Sequence, residues 1–266
     1  MAKIGNAIRE IHSLENLAER DILLSRIHPL AKVLVTIWYL ILVLSFGKYD
    51  LTGLLGMCLY PMILMITGDI SVRRAFYRLR PLLFMVCLIG AANPFFDRTP
   101  WMEIGGFTVT TGMLSMVTLF FKTGFAVFAS YILIASTTIE QICYALRKMH
   151  MPRILVTVLL LIYRYLVLML KEADRITQAY LLRAPGEKGI RKSAWGSLAG
   201  QMLLRSIDRA QRVYESMMLR GFQGEFFLRG SFVPERQSIL YGLVWGIMLA
   251  VLRFVPVFEL AGRIFQ

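Results

Sequence analysis

The residues of this chain best suited to chemistry are two arginines, Arg183 and Arg220, each of which closes one copy of an internal repeat. The copies occupy residues 173–183 and 210–220, and they share an alanine, an arginine, an aliphatic residue, a glutamine or glutamate, a small residue and a final Leu-Arg. A guanidinium group can donate paired hydrogen bonds to a carboxylate, so each arginine could dock onto an acidic groove of a partner protein. The alternative for each arginine taken singly is that it stabilises its own helix end through the helix dipole.

Two long helices must position these arginines. Apolar residues recur at spacings of three and four within 166–180 and 203–217, which predicts amphipathic helices whose apolar sides pack on each other. Helix-breaking residues follow both copies of the repeat: Pro185 and Gly186 after the first, Gly221 and Gly224 after the second. We therefore expect each arginine at the C-terminal tip of a helix. A matched pair of tips favours docking onto two equivalent partner subunits.

The composition places these helices in a membrane protein. Hydrophobic residues make up 57% of the 266-residue chain, and the mean hydropathy is +0.60. The net charge of +13 could suggest nucleic acid, but so apolar a chain would not remain in water to bind it, and the positive-inside rule explains the same excess. The first 29 residues carry charges throughout, so we expect no cleavable signal peptide there.

Six apolar tracts are candidate membrane spans. They cover residues 30–46, 51–67, 81–96, 112–139, 154–170 and 239–252. Lysine and arginine alternate between rich and poor in the connecting segments of the first four tracts. This alternation predicts a cytoplasmic N-terminus and a cytoplasmic segment after the fourth tract. Lys122 lies inside the fourth tract, where we expect it to snorkel or to pair with a polar group between helices.

The fifth tract, 154–170, conflicts with this alternation. If it crossed the membrane, residues 171–236 would lie outside, although they carry 12 Lys and Arg against 7 Asp and Glu. We therefore expect the tract to begin a long helix along the inner face of the membrane, with 239–252 as the fifth and last span. A six-span or re-entrant arrangement remains the alternative.

The predicted organisation is that of an all-α polytopic membrane protein. It has about five transmembrane helices and a cytoplasmic coupling module of two long, crossing amphipathic helices. The predicted segments are a cytoplasmic N-terminus (1–29), transmembrane helices 1–4 (30–139), the cytoplasmic coupling domain (140–237), the last transmembrane helix (238–258) and a C-terminal tail (259–266).

Several short motifs resemble those of one transporter family. They are Ile27-His28-Pro29-Leu30-Ala31-Lys32, Thr137-Thr138, Leu146-Arg147-Lys148-Met149-His150-Met151-Pro152, Tyr163-Arg164-Tyr165, Leu204-Arg205-Ser206 and Leu219-Arg220-Gly221-Phe222-Gln223-Gly224-Glu225. Together they make the chain similar to the T component of energy-coupling factor (ECF) transporters, of the CbiQ-like cobalt/nickel type. In that family two Ala-Arg-Gly-like motifs end the coupling helices. This chain departs from the pattern in having Leu182 and Leu219 before the arginines and Pro185 after the first motif.

The resemblance implies a non-catalytic scaffold in the cell membrane. Its arginine motifs, here Arg183-Ala184 and Arg220-Gly221, would enter grooves on two ATP-binding cassette subunits. The apolar side of the coupling helices would hold a substrate-binding membrane subunit of the CbiM/CbiN type, with cobalt or nickel as the transported ion. The candidate contacts for that subunit are Leu155, Leu159, Ile162, Leu166 and Met169.

The chain carries no pattern for catalysis or for a cofactor. No Walker A sequence occurs, so we expect ATP hydrolysis on partner subunits only. His12, His28 and His150 have no His-rich or Cys-rich neighbourhood, and Cys58, Cys87 and Cys143 form no CxxC pair, so no metal site is predicted. For His28 and His150 we expect surface or interfacial roles.

Three other functions remain as alternatives. The T component could serve a vitamin importer instead of a metal importer. A stand-alone channel or secondary transporter would favour inverted repeats, whereas the repeat found here is direct and lies in the basic segment. A membrane lipid enzyme would need acid and base groups that converge, but Glu140, His150 and Asp174 are scattered along the chain.

Overall fold

The computed structural model of the chain describes residues 5, 9, 11–13, 15, 18, 27–96, 100–104, 107–184, 186, 189–224, 226 and 235–254. Its helices are α1 Pro29–Leu44, α2 Leu51–Gly56, α3 Leu59–Thr67, α4 Val72–Gly90, α5 Asn93–Phe96, α6 Thr111–Ser136, α7 Ile139–Lys148, α8 Arg153–Arg183, α9 Trp195–Leu219 and α10 Glu235–Phe254. A 3₁₀ turn, Lys192–Ala194, precedes α9. The expectation of a helical membrane protein is confirmed. A short antiparallel hairpin, β1 Pro100–Ile104 and β2 Phe107–Thr110, lies between α5 and α6.

The chain divides into two compact units. The bundle unit consists of Leu17–Thr138 and Ser231–Gln266, and the long-helix unit consists of Met1–Asn16 and Ile139–Gly230.

In the bundle unit, two lysines fix the direction of α6 against α1. Near the start of α1, Lys32 Nζ donates a hydrogen bond of 2.9 Å to the carbonyl of Ser136, the last residue of α6. Just beyond the end of α1, the carbonyl of Phe46 accepts a hydrogen bond from Lys122, in the middle of α6. The two helices are therefore antiparallel. Lys122 pairs with a polar group between helices, as its position in an apolar tract predicted.

Helix α10 runs parallel to α1. The N–H of His28 donates to Ser238 Oγ at 3.1 Å beside the start of α10. At the other end, Arg253 donates to the carbonyl of Ser45 at 3.3 Å, and its guanidinium lies 4.2 Å from the centre of the Phe46 ring. The end of α6 and the start of α10 thus lie at the same end of α1. The chain leaves the bundle unit and returns to it at that one end.

An aromatic cluster fills the centre of the bundle unit. Tyr39 of α1 stacks on Tyr60 of α3 with ring centroids 4.3 Å apart, and Tyr60 meets Trp245 of α10 edge to face at 4.9 Å. The Tyr39 hydroxyl donates to the carbonyl of Met57, in the turn between α2 and α3, at 3.0 Å. Hydrogen bonding of this kind is required when backbone groups are buried away from water.

Large apolar side chains cover the outside of the helices in the bundle unit. Ile41, Leu44, Ile66, Phe84 and Ile247 are 54–73% exposed. By length and composition, three described helical segments could cross a membrane: Thr111–Ser136, Arg153–Arg183 and Arg236–Phe254. Shorter apolar helical segments are Pro29–Leu44, Leu51–Thr67 and Leu79–Gly90. Exposed apolar surface of this extent is stable in lipid and unfavourable in water.

Several predicted boundaries were wrong. The second tract is interrupted between Gly56 and Leu59, and the third, expected to begin at Pro81, belongs to a helix that begins at Val72. Arg73 and Arg80 therefore lie on a helix and not in a loop. Hydropathy marks where a segment can enter lipid, whereas a helix can continue into its charged flank. Residues 255–258 of the predicted last span and the tail 259–266 lie outside the described residues.

In the long-helix unit, α9 folds back along α8. Tyr180 Oη accepts the N–H of Arg191 at 3.4 Å, close to the turn between the two helices. Glu172 pairs with Arg205 midway. The Thr157 hydroxyl donates to the carbonyl of Gly224 at 3.3 Å near the start of α8. These three contacts make α8 and α9 an antiparallel hairpin.

The predicted packing of the two apolar seams was wrong for α9. Leu203, Ile207 and Tyr214 are 60%, 45% and 57% exposed, and no described residue of α9 is buried. The contact between the helices instead includes the ion pair from Arg205 to Glu172, a carboxylate whose residue is only 9% exposed. The apolar seam of α9 therefore stays largely exposed within the described residues of this unit.

Candidate coupling site

The second arginine tip is built by a specific helix-ending motif. Arg220 is the C-cap of α9, and Gly221 follows with φ +78°. The N–H of Gly221 donates to the carbonyl of Met218 at 3.0 Å, and the N–H of Phe222 donates to the carbonyl of Met217 at 3.0 Å. These are the two hydrogen bonds of a Schellman motif, which requires a left-handed residue and therefore favours glycine. Arg220 is exposed at the end of the helix.

The first arginine tip ends differently. Arg183 is the last residue of α8, and Ala184 is its C-cap with φ −122°, donating its N–H to the carbonyl of Tyr180 at 3.1 Å. Arg183 is exposed, like Arg220, and Ala184 is half-buried. Both copies of the sequence repeat therefore end with an arginine at a helix end. The backbone conformation after the helix differs between the two copies.

The leucines before the arginines are the feature that the sequence motif alone did not reveal. Leu182 is 82% exposed and Leu219 is 90% exposed, more than any other described large apolar side chain of the long-helix unit. In the sequence these leucines looked only like departures from the Ala-Arg-Gly pattern. Each helix tip therefore presents an apolar side chain next to a cation. An exposed apolar side chain beside a charged group is typical of surfaces that contact another protein.

The chain after the second tip is tethered to the rest of the long-helix unit. Arg147, at the end of α7, donates to the carbonyl of Phe226 at 3.2 Å, and Thr157, which is buried, donates to Gly224. The rings of Phe222 and Phe226 lie 5.2 Å apart. These contacts hold the residues that follow Arg220. They also bring together short sequence motifs that are far apart in the chain.

The two tips are well separated in space. Arg220 lines the same cavity as Arg164 and Leu161 of α8. Arg183 lies about five helical turns farther along α8, a distance of roughly 30 Å. The two tips therefore lie toward opposite ends of the hairpin of α8 and α9.

The predicted contact surface for a substrate subunit forms a single stripe on α8. Leu155, Leu159, Ile162 and Leu166 are 51%, 41%, 57% and 40% exposed, and Met169 is half-buried. Their spacing of four, three, four and three residues places them on one side of the helix. Within the described residues, the first four of these side chains are therefore about half exposed.

The histidines and other metal-binding residue types do not converge. Within the described residues, no group of three or more His, Cys, Asp or Glu side chains could hold a metal ion. His28 is buried, and its Nδ1 accepts the N–H of Leu30 at 3.2 Å to cap α1, so a surface role for His28 is wrong. His150 takes φ +66° in the turn between α7 and α8.

Comparison with known proteins decides the family. The sequence model described as "CbiQ: Cobalt transport protein" matches residues 22–231, most of the chain. This chain belongs to the CbiQ family. The match includes both arginine tips, the α8 stripe and the residues that tether the loop after α9. Membership in this family, together with the apolar helices, makes the chain a membrane protein of a transport family.

Three curated relatives of this CbiQ-family chain are similar to it over about half of its length. An uncharacterised protein of Methanocaldococcus jannaschii is 28% identical over 131 residues, 48% of this chain and 48% of that protein. The cobalt transport protein CbiQ of Salmonella typhimurium is 28% identical over 158 residues, 54% of this chain and 69% of that protein. A fused cobalt transport protein CbiMQ of Methanocorpusculum labreanum is 30% identical over 154 residues, 54% of this chain and 25% of that protein. The chain thus spans about half the length of the first of these relatives.

Proposed function

We propose that the chain is the transmembrane scaffold and coupling subunit of an ECF-type importer. In this role it links two cytoplasmic ATPase subunits to a substrate-binding membrane subunit and catalyses nothing itself. The observation that carries the proposal is the pair of exposed Leu-Arg tips, Leu182-Arg183 and Leu219-Arg220, which close the two helices of one hairpin. A helix cap needs the arginine alone. An exposed leucine beside it at both tips favours insertion into a partner's groove.

The substrate and the membrane partner are proposed from the relatives. The family is one of cobalt transport, so cobalt is the proposed ion, with nickel next and a vitamin as the alternative. The name of the Methanocorpusculum protein joins CbiM to CbiQ in one chain, which supports a CbiM-like partner for this protein. The proposed contact for that partner is the stripe of Leu155, Leu159, Ile162, Leu166 and Met169. Burial of this stripe against the partner would remove four exposed apolar side chains from water, which is favourable.

The proposed topology has five spans with the long-helix unit in the cytoplasm. The chain leaves and re-enters the bundle unit at the same end of α1, which supports an even number of crossings, here none, between Ser136 and Ser238. Helix α8 is itself long and apolar enough to cross a membrane, so the location of the segment after it must be tested by labelling. A cysteine replacing Ser193 should react with a membrane-impermeant maleimide only after permeabilisation, and one replacing Lys48 should react in intact cells. Labelling of position 193 in intact cells would refute five spans.

Docking is tested by reversing the charge of both tips. The chain is co-expressed with its candidate ATPase subunits, and ATPase co-purification and ATP hydrolysis are measured for Arg183→Glu/Arg220→Glu. The matched control is Lys171→Glu/Lys192→Glu, which makes the same change in net charge at exposed positions of the same unit. We expect the tip variant to insert normally and to lose the ATPases, with each buried charge pair worth about 2–5 kcal/mol.

The two variants separate docking from general electrostatics. Equal loss in both would mean that the ATPases respond only to the overall positive charge of the unit. Unchanged binding in the tip variant would mean that the arginines are helix caps. A third variant, Leu182→Ser/Leu219→Ser, tests the apolar half of the contact and should weaken co-purification without any change in charge.

A further inference from the structure

A cavity of about 860 Å³ lies between α8 and α9 in the long-helix unit, and it is strongly basic. Arg164 of α8 and Arg209, Arg212 and Arg220 of α9 all line it, and none of its described lining residues is acidic. Tyr165, Ser216 and Gln223 add hydroxyl and amide groups to the same wall. Four guanidinium groups without a neutralising carboxylate repel one another, so the cavity favours an anion from outside the chain.

The arginines have few internal partners. Among the described residues, Arg164 and Arg209 make no hydrogen bond or ion pair, and Arg212 donates its Nε to the carbonyl of Asp208 at 3.2 Å. The remaining N–H groups are therefore available to a ligand with several closely spaced oxygens. Planar guanidinium groups bind the paired oxygens of a phosphate with two parallel hydrogen bonds.

An exposed apolar stripe of α8 leads into the cavity. Ile154, Val158 and Leu168 are 71%, 42% and 39% exposed, and they share one side of the helix with the cavity residues Leu161 and Tyr165, at spacings of four and three. This stripe is different from the one proposed to contact a substrate subunit. It places hydrocarbon surface directly beside the four arginines, on a protein that belongs to a membrane transport family.

We propose that this cavity binds the phosphate of an anionic phospholipid, with the acyl chains along the stripe of Ile154, Val158 and Leu161. A zwitterionic lipid would bring a cationic group to the same arginines and should bind less well. A soluble phosphate offers the same oxygens but gains nothing from the apolar stripe. Arg220 belongs also to the proposed ATPase contact. The inference therefore rests on Arg164 and Arg209, which can be changed while both helix tips stay intact.

The test is a lipid titration of the purified full-length chain by native mass spectrometry in a neutral detergent. Phosphatidylglycerol and phosphatidylcholine are compared for the wild type, Arg164→Gln and Arg209→Gln, with Lys171→Gln as the control for loss of one charge from exposed α8. We expect tight phosphatidylglycerol binding that weakens about 10–150-fold in each arginine variant, since a hydrogen bond to a charged group contributes about 1.5–3 kcal/mol. Lys171→Gln should bind phosphatidylglycerol as tightly as the wild type does. The weaker binding of phosphatidylcholine should be the same in the wild type and in all three variants.

Four results would overturn the proposal. Equal affinity for the two lipids would show that the arginines do not select an anionic headgroup, since phosphatidylcholine carries the same phosphate. An equal loss in Lys171→Gln would show that lipid binding depends on the overall charge of the unit and not on the cavity. Displacement of phosphatidylglycerol by an equal concentration of glycerol 3-phosphate would assign the site to a soluble phosphate. Unchanged lipid affinity in Arg164→Gln and Arg209→Gln, combined with weaker ATPase co-purification, would assign the arginines to an acidic surface of a partner protein.

Discussion

Gly221 is the residue on which the geometry of the second tip depends. Its φ of +78° is left-handed, and a Cβ built there meets no heavy atom within 4 Å. Substitution by alanine therefore adds backbone strain without a clash, and the expected cost is about 1–2 kcal/mol. Asparagine tolerates the left-handed region better, so Gly221→Asn should cost less. The strain should open the hydrogen bonds that Gly221 and Phe222 donate to Met218 and Met217.

Native-state hydrogen exchange of the full-length chain measures this opening. The amides of residues 221 and 222 should exchange about 5–30-fold faster in Gly221→Ala, the factor that corresponds to 1–2 kcal/mol. Gly200, inside the same helix, is the matched control, because a Cβ there also meets nothing within 4 Å while the backbone is helical. Gly200→Ala should stabilise α9 by about 0.8–1.0 kcal/mol. Replacement of glycine by alanine is therefore expected to destabilise α9 at position 221 and to stabilise it at position 200.

The reasoning would be refuted if Gly221→Ala left the exchange of these amides unchanged or slowed it. In that case the left-handed turn would not hold the end of α9. The orientation of Arg220 would then have to be set by the contacts of Gly224 and Phe226 alone. Faster exchange in both alanine variants would instead indicate that a Cβ destabilises α9 at either glycine, so that the left-handed backbone of Gly221 is not the cause.

Three further predictions concern stability and reactivity. Ser238→Ala should remove the hydroxyl that accepts the buried N–H of His28 at the start of α1, at a cost of about 1–3 kcal/mol, seen as a lower Tm in detergent. Arg205→Gln should lower the Tm more than Glu172→Gln, because it leaves a buried carboxylate with only its longer ion pair to Arg175, at 3.9 Å, whereas the second change leaves a half-exposed cation in water. Burial raises the pKa of the Cys143 thiol and the Glu140 carboxylate raises it further, so at pH 8 iodoacetamide should alkylate it slowly, and faster as the pH rises.

Each of these predictions has an internal control. Ser238→Thr keeps the hydroxyl and should retain the wild-type Tm; an equal loss in both variants would point to side-chain packing. Equal effects of the two changes at the ion pair would mean that the carboxylate is solvated. For the thiol, Cys58 and Cys87 are replaced by alanine so that only Cys143 reacts. Alkylation in the folded chain as fast as in sodium dodecyl sulfate would contradict its burial.

Local sequence patterns located most of the helices but few of their ends. The tracts 30–46 and 112–139 correspond closely to α1 and α6. The third tract, 81–96, begins inside α4, because that helix starts at Val72 in the charged segment before the tract and continues through Pro81. A proline inside a helix removes one hydrogen bond, and the rest of a long helix can tolerate that loss.

The sequence predicted the positions of the arginines in the candidate site but not the exposure of the leucines beside them. The repeat and its helix breakers placed Arg183 and Arg220 at helix ends, since a helix end is a local property of the backbone. The exposure of Leu182 and Leu219 was not visible, because a leucine near a helix end can equally be buried. The seam of α9 misled for the same reason: an apolar stripe shows that a helix has a side to cover, but not which surface covers it.

The sequence by itself determined that this is a helical membrane protein, where most of its apolar helices lie and which helices end in arginine. These features depend on hydropathy, charge and helix breaking within a few residues of each other. Only the tertiary structure decided that His28 meets Ser238 and that Lys32 meets Ser136, contacts between residues 210 and 104 positions apart. It also brought Arg164 to the arginines of α9. Pairings of this kind follow from how helices pack in three dimensions, and the local pattern of one chain segment carries no record of its partner.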